Sequence, residues 1–169
     1  MGHRRLRAWV GTIVFLFLAP GIVAGVIPWL LTGWTSAWPG GTPWIATAVA
    51  VVAIVGGIVV LLDAFVRFAL ADGTPAPPAP TAELVVVGPY RYVRNPMYLA
   101  VLAIIFGQAL LFASVWTAMY AVIAFLAVLL FVKAYEEPTL EGEYGDRYRE
   151  YRENVRGWIP RLRPWTRRD

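Results

Sequence analysis

Apolar and charged positions separate along this chain into long blocks. From Ala8 to Leu62, 55 residues pass without an Asp, Glu, Lys or Arg, and from Asn95 to Val132 another 38 do. A helix that crosses a bilayer needs about 20 apolar residues, so each block has room for two spans and a connection. Turn formers and interfacial tryptophans break the first block between Thr32 and Pro43 (Thr-Gly-Trp-Thr-Ser-Ala-Trp-Pro-Gly-Gly-Thr-Pro). This predicts spans near Trp9–Leu31 and Trp44–Leu70. The second block breaks more weakly, around Phe112-Ala113-Ser114-Val115-Trp116. It predicts two short spans, near Pro96–Phe112 and Trp116–Tyr135, joined as a tight helical hairpin. Past them, Glu136–Val155 reads as a polar amphipathic helix with Leu140, Tyr144, Tyr148, Tyr151 and Val155 on one face. Trp158, Pro160, Pro164 and Trp165 make a tail suited to a membrane interface. The expected fold is an all-α integral membrane domain over residues 1–169, with about four transmembrane helices and a C-terminal cytoplasmic amphipathic helix.

Composition supports this reading. Hydrophobic residues make up 59% of the chain and charged residues only 15%, against about a quarter charged in soluble domains. The net charge of +4 could suggest nucleic acid, but the positions of the charges argue against it. Arg4, Arg5 and Arg7 precede the first predicted span, Arg67, Arg91 and Arg94 lie between the second and third, and Lys133 and eight arginines follow. Every cation falls on one face, which the positive-inside rule makes cytoplasmic, with both termini. No cysteine is present and His3 is the single histidine, which excludes disulfides, thiol nucleophiles, thiolate–zinc sites and His-based triads. Residues 1–31 could also be read as a signal peptide, although the apolar run is long for one. The Ala, Arg, Gly and Pro content suits a bacterial inner membrane.

Smaller features read as structural. Pro20 and Pro28 predict kinks in the first span. Gly21 with Gly25, and Gly56 with Gly57, read as points of close helix approach. Asp63 and Arg67, four residues apart, read as an ion pair, and Gln108 as an interhelical hydrogen bond or an outer-surface group. Asp72–Thr81, rich in Pro and Ala, reads as a stiff connector. No internal repeat suggests a transporter.

Chemistry concentrates in two polar clusters at the inner ends of the last two spans. The first is Gly88-Pro89-Tyr90-Arg91-Tyr92-Val93-Arg94-Asn95-Pro96-Met97-Tyr98 and the second is Tyr135-Glu136-Glu137-Pro138. The intervening hairpin leaves this face at Arg94 and returns to it at Glu136, so arginines, an asparagine, tyrosines and two carboxylates meet at the membrane edge. Ionisable clusters at that depth are candidates for function. Flanking cations, an aromatic belt and helix-end acids would produce the same composition without one.

These motifs resemble the integral-membrane methyltransferases, which include the isoprenylcysteine carboxyl methyltransferases and the phospholipid N-methyltransferases. Tyr144-Gly145-Asp146-Arg147-Tyr148, Tyr151 and Trp158-Ile159-Pro160-Arg161 extend the resemblance across roughly residues 84–161. It implies S-adenosylmethionine as methyl donor at the cytosolic helix ends. It also places the Arg-x-Pro-x-Tyr motif on Arg94, Pro96 and Tyr98 and the paired acids on Glu136 and Glu137. By the resemblance, Arg94 and Glu137 are catalytic. Gly88, Pro89, Tyr90, Arg91, Val93, Asn95, Tyr98, Glu136 and Arg161 bind the donor, Arg161 as part of a lid. No metal is implied. Asn95 stands where the isoprenylcysteine branch usually has histidine, and Asn-Pro-Met-Tyr with Tyr-Glu-Glu-Pro looks more like the phospholipid branch.

The implied partners are membrane lipids and a lipophilic acceptor, either an amine or a carboxylate. An amine must lose a proton, which a carboxylate base assists. A carboxylate acceptor needs a cation to orient it, and Arg94 is the candidate. Two rival expectations remain: an NADPH-dependent membrane reductase of the sterol-reductase type, whose C-terminal part has a similar motif, and a non-enzymatic membrane accessory protein.

Overall fold

The computed structural model describes residues 9–11, 13–70 and 84–166. The basic N-terminus, the Asp72–Thr81 connector, Arg167 and Arg168 lie outside them. Among the described residues the protein is all-helical. Helix α1 runs Trp9–Thr32 and α2 Trp44–Leu70. A 3₁₀ turn, Gly88–Arg91, leads into α3, Pro96–Phe112. Helix α4 runs Val115–Tyr144 and α5 runs Asp146–Asn154. Helices α1, α2 and α4 are each long and apolar enough to cross a membrane, while α3 is apolar but has only 17 residues.

The short helix is central. Ala100, Ile104 and Ile105 of α3 meet Ala24 of α1, Leu61 and Phe65 of α2, and Ala121 of α4 in one buried cluster. The α2–α3 pairing is the most extensive because two glycines let the backbones approach. A Cβ at Gly57 would lie 2.7 Å from the Ala100 carbonyl oxygen, and one at Gly107 would lie 2.7 Å from Ile54 Cγ1. The other anticipated contacts do not form. Gly25 and Gly56 have no neighbour within 4 Å, and Gly21 faces only the Leu16 carbonyl of its own helix.

Pro20 has no N–H to give its helix, and α1 winds in π-register over Phe17–Val26 around it. Two carbonyls of that stretch take donors from other helices. Gln108 Nε2 donates to Ala24 O at 2.7 Å and Tyr120 Oη to Val23 O at 2.9 Å. Gln108 is therefore the interhelical bond of the two readings it allowed. The Arg67 guanidinium grips Asp63 through two bonds, of 2.7 and 2.8 Å, as the spacing predicts.

At the opposite end, residues 33–43 fold over the C-terminus of α3, whose last carbonyls have no partner within the helix. Ala37 N donates to Phe112 O, Trp38 Nε1 to Leu110 O and Thr42 Oγ1 to Leu111 O, each at 3.0 Å. Ser114 then caps α4 by accepting from Thr117 N at 3.2 Å.

The predicted amphipathic helix at Glu136–Val155 is corrected. Nearly half of it, through Tyr144, continues α4 without a break, because Pro138 falls in the first turn after a π-register segment, Val132–Glu136, where little is lost with its N–H. The chain breaks at Gly145, whose φ of 55° ends α4, and restarts as α5. The apolar face survives the break: Tyr148, Tyr151 and Val155 form a second buried cluster, joined by Leu140, Tyr144 and Trp165.

Candidate functional site

Along α4, Glu136 stands 21 residues beyond Val115, about 32 Å at 1.5 Å per residue, close to one hydrocarbon thickness. The end of α4 meets the start of α3 there. Neighbours on a helix point about 100° apart, so the adjacent acids face different partners. Glu136 accepts a 2.7 Å hydrogen bond from Tyr98 Oη. Glu137 pairs with Arg94 at 2.8 Å, with both side chains mostly buried. Arg94 Nη1 also donates to Tyr148 Oη at 3.0 Å. Burial pushes the Tyr148 phenol above its ordinary range despite the opposing guanidinium, so the phenol is neutral. Among the described residues, two buried donors have no acceptor, Arg94 Nε and Asn95 Nδ2.

Beside these groups opens a cavity of about 510 Å³, the size of a small-molecule site. Its apolar part is lined by Phe15, Phe68, Met97, Ala127, Val128 and Phe131, contributed by four helices. Its polar end carries Arg94, Asn95, Tyr98, Glu136, Thr139 and Glu143, with Tyr90, Tyr144, Tyr148 and Tyr151 alongside. Burial also raises Tyr90 and Tyr151. Tyr151 stays a donor, giving its proton to the Tyr90 carbonyl at 2.6 Å.

Of the residues singled out in the sequence, Tyr90, Arg94, Asn95, Tyr98 and Glu136 reach the cavity wall. Glu137 lies behind it, on Arg94. Gly88 serves the turn: its φ is +56°, and a Cβ there would fall 2.1 Å from Arg67 Nε. Pro89 continues that turn and Val93 is buried beneath it. Arg91 donates to Trp165 O at 2.8 Å and borders a separate cavity of about 390 Å³. The Arg161 guanidinium is bonded to the Asn154 carbonyl at the end of α5, away from the cavity wall.

Two wall residues with chemistry to offer, Glu143 and Tyr148, are not among the site residues expected from the sequence. Glu143 lies seven positions after Glu136, two turns up the same helix face. That spacing was readable only if α4 was known to pass Pro138 intact. Tyr148 was read as part of an apolar face, and its hydroxyl turns out to serve Arg94.

The model of one protein family, phospholipid methyltransferase, matches residues 45–147, more than half of the chain, covering nearly all of α2 and the whole of α3 and α4. The chain belongs to the phospholipid methyltransferase family. Among curated relatives of this family, the phosphatidylethanolamine N-methyltransferase of Schizosaccharomyces pombe (strain 972 / ATCC 24843) is 33% identical over 73 residues. That stretch is 43% of this chain but only 8% of the relative's length. No solved structure matches the chain. Carboxylate, guanidinium and phenol groups thus share the wall of a largely apolar cavity within an integral membrane protein.

Proposed function

We propose that the protein transfers a methyl group from S-adenosylmethionine to the amine of a phospholipid headgroup, at the cytoplasmic face of a membrane that the chain crosses four times, with both termini on that face. When bound, S-adenosylmethionine supplies an electrophilic methyl group on a positively charged sulfonium. The residues present fit such a donor. Glu136 offers a carboxylate to an ammonium, Arg94 Nε and Asn95 Nδ2 are buried donors in want of an acceptor such as a carboxylate, and the tyrosines offer flat apolar faces.

The charge balance of the cavity supports an amine acceptor over a carboxylate. Arg94 is the wall's cation, and Glu137 already neutralises it at 2.8 Å. Glu136 and Glu143 leave the wall anionic, which favours a cationic headgroup. An ammonium must give up its proton before its lone pair can attack, and a wall carboxylate is placed to receive it. Glu137 acts through Arg94, fixing the guanidinium beside Tyr148. The apolar part of the cavity takes the lipophilic portion of the acceptor and keeps water from the reacting groups.

The observation that carries this reading is the Tyr98–Glu136 hydrogen bond on the cavity wall, with Arg94 held by the adjacent acid. Calorimetry on protein in nanodiscs tests it, together with transfer of labelled methyl to ethanolamine phospholipid. The wild type is expected to bind S-adenosylmethionine and label the lipid, and Glu136→Gln to weaken binding at least tenfold while remaining folded. A folded wild type that binds no donor, or a Glu136→Gln variant that binds it normally, overturns the reading.

A further inference from the structure

The family match ends at residue 147, yet the chain beyond it is built into the site. After α5, residues 155–165 run back across the loop that carries Arg94. Arg94 N donates to Arg156 O at 2.9 Å and Asn95 N to Gly157 O at 3.2 Å. Arg161 N donates to Tyr92 O and Trp165 N to Arg91 O, both at 2.9 Å. These bonds meet a local need. Arg94 and Asn95 stand just ahead of α3, where their N–H groups have no place in the helix's own ladder, and the tail carbonyls supply the acceptors.

Two tail residues press directly on the site. Gly157 lies against both the Arg94 guanidinium and the Asn95 amide: a Cβ there would be 3.3 Å from Arg94 Nη2 and 3.3 Å from Asn95 Nδ2. Trp158 is wedged between α3 and α4, its ring 6.4 Å from that of Tyr98 and 5.4 Å from that of Phe125, edge-on to the latter. Tyr98 in turn holds Glu136.

We propose that Gly157 and Trp158 are positioning residues for the site, Gly157 seating the Arg94 guanidinium and Asn95 amide, and Trp158 fixing the Tyr98 ring that presents its hydroxyl to Glu136. Gly157 does not adopt a left-handed φ, so alanine is permitted by the backbone. What Gly157→Ala changes is the contact alone, shifting two side chains by a few tenths of an ångström. Displacements of that order are enough to cost rate where geometry carries the catalysis. Trp158→Ala empties the space behind Tyr98, whereas Trp158→Phe keeps a ring there.

The kinetic arm rests on the methyl-transfer reading; the exchange arm does not. In hydrogen exchange on the full chain in nanodiscs, the Arg94 and Asn95 amides are protected in the wild type. Gly157→Ala lowers that protection and leaves α2 and α4 unchanged. In methyl-transfer assays, Gly157→Ala lowers kcat severalfold with the melting temperature of the wild type. Trp158→Ala, which also opens a cavity and lowers the melting temperature, loses at least tenfold in kcat at temperatures where it is still folded, and Trp158→Phe restores most of it. Unprotected amides in the wild type overturn the tail's hold on the loop. Wild-type kcat in Gly157→Ala, or losses in Trp158→Ala that follow the melting temperature and are not rescued by phenylalanine, overturn the positioning role. A wild type that transfers no methyl group refutes the proposed function, and the exchange result still decides whether the tail holds the loop.

Discussion

Glu136 and Glu137 share a motif but do different physical work. Glu136 has a neutral phenol as partner and a cavity in front of it, so its charge is available to a ligand. The charge of Glu137 is taken up by Arg94. A hydrogen bond to a charged group is worth about 1.5–3 kcal/mol, so Tyr98→Phe is expected to lower kcat/KM roughly ten- to hundredfold with the fold retained. Near-normal kinetics in that variant would detach Tyr98 from the chemistry. Glu137→Gln is expected to cost activity by releasing Arg94, without abolishing donor binding; a folded variant with full activity would sink its role. Glu143 is more exposed and further from the reacting groups, where a single charge is screened. Glu143→Gln should raise KM for an amine lipid about two- to fivefold at low salt, with kcat unchanged and the difference shrinking as ionic strength rises. A KM that ignores both the substitution and the salt would remove Glu143 from headgroup recognition.

At the scale of elements, neighbouring residues again separate by what they touch. Gly56 and Gly57 adjoin in α2, but only Gly57 meets the backbone of α3. Gly57→Ala must push the two helices apart and is expected to cost about 1–3 kcal/mol. Gly56→Ala meets nothing and should be neutral or slightly stabilising. Thermal unfolding in detergent compares them directly, and equal midpoints would contradict the close α2–α3 packing. The sequence alone located α2 and α3 at their observed ends, because turn formers and prolines bound both apolar runs. It did not reveal which glycine of the pair packs, since that depends on the rotation of α2 against α3. Nor did it show that α4 runs past Pro138. A proline reads as a stop, whereas a π-register turn just before it lets the helix continue and carries Thr139, Leu140 and Glu143 up the cavity wall. The meeting of Arg94, Tyr98 and the paired acids was legible because two short helices joined by a tight turn return to the face they left. The division of labour between the acids was not, because it turns on side-chain direction at one helix end.

For the molecule as a whole, the charge asymmetry and the short central helix fit one arrangement. At about 1.5 Å per residue α3 measures roughly 25 Å, less than a hydrocarbon core of about 30 Å. It is shielded from lipid by α1, α2 and α4, and its outer carbonyls are capped by residues 33–43. A helix so enclosed need not match the bilayer thickness itself to cross it. Under the proposed topology the uncharged loop at 33–43 is expected outside, and the arginine-rich tail inside with the polar ends of α3 and α4. The chain has no native cysteine, so single cysteines report sidedness without background. Ala37→Cys, exposed in the outer loop, is expected to react with a membrane-impermeant maleimide on intact cells. Arg163→Cys, exposed in the tail, should react only after the membrane is opened. The reverse pattern would invert the protein and put the candidate site on the wrong side for a cytoplasmic methyl donor. Labelling of both positions from outside would mean an even number of crossings between Ala37 and Arg163, and the site would lose its cytoplasmic placement.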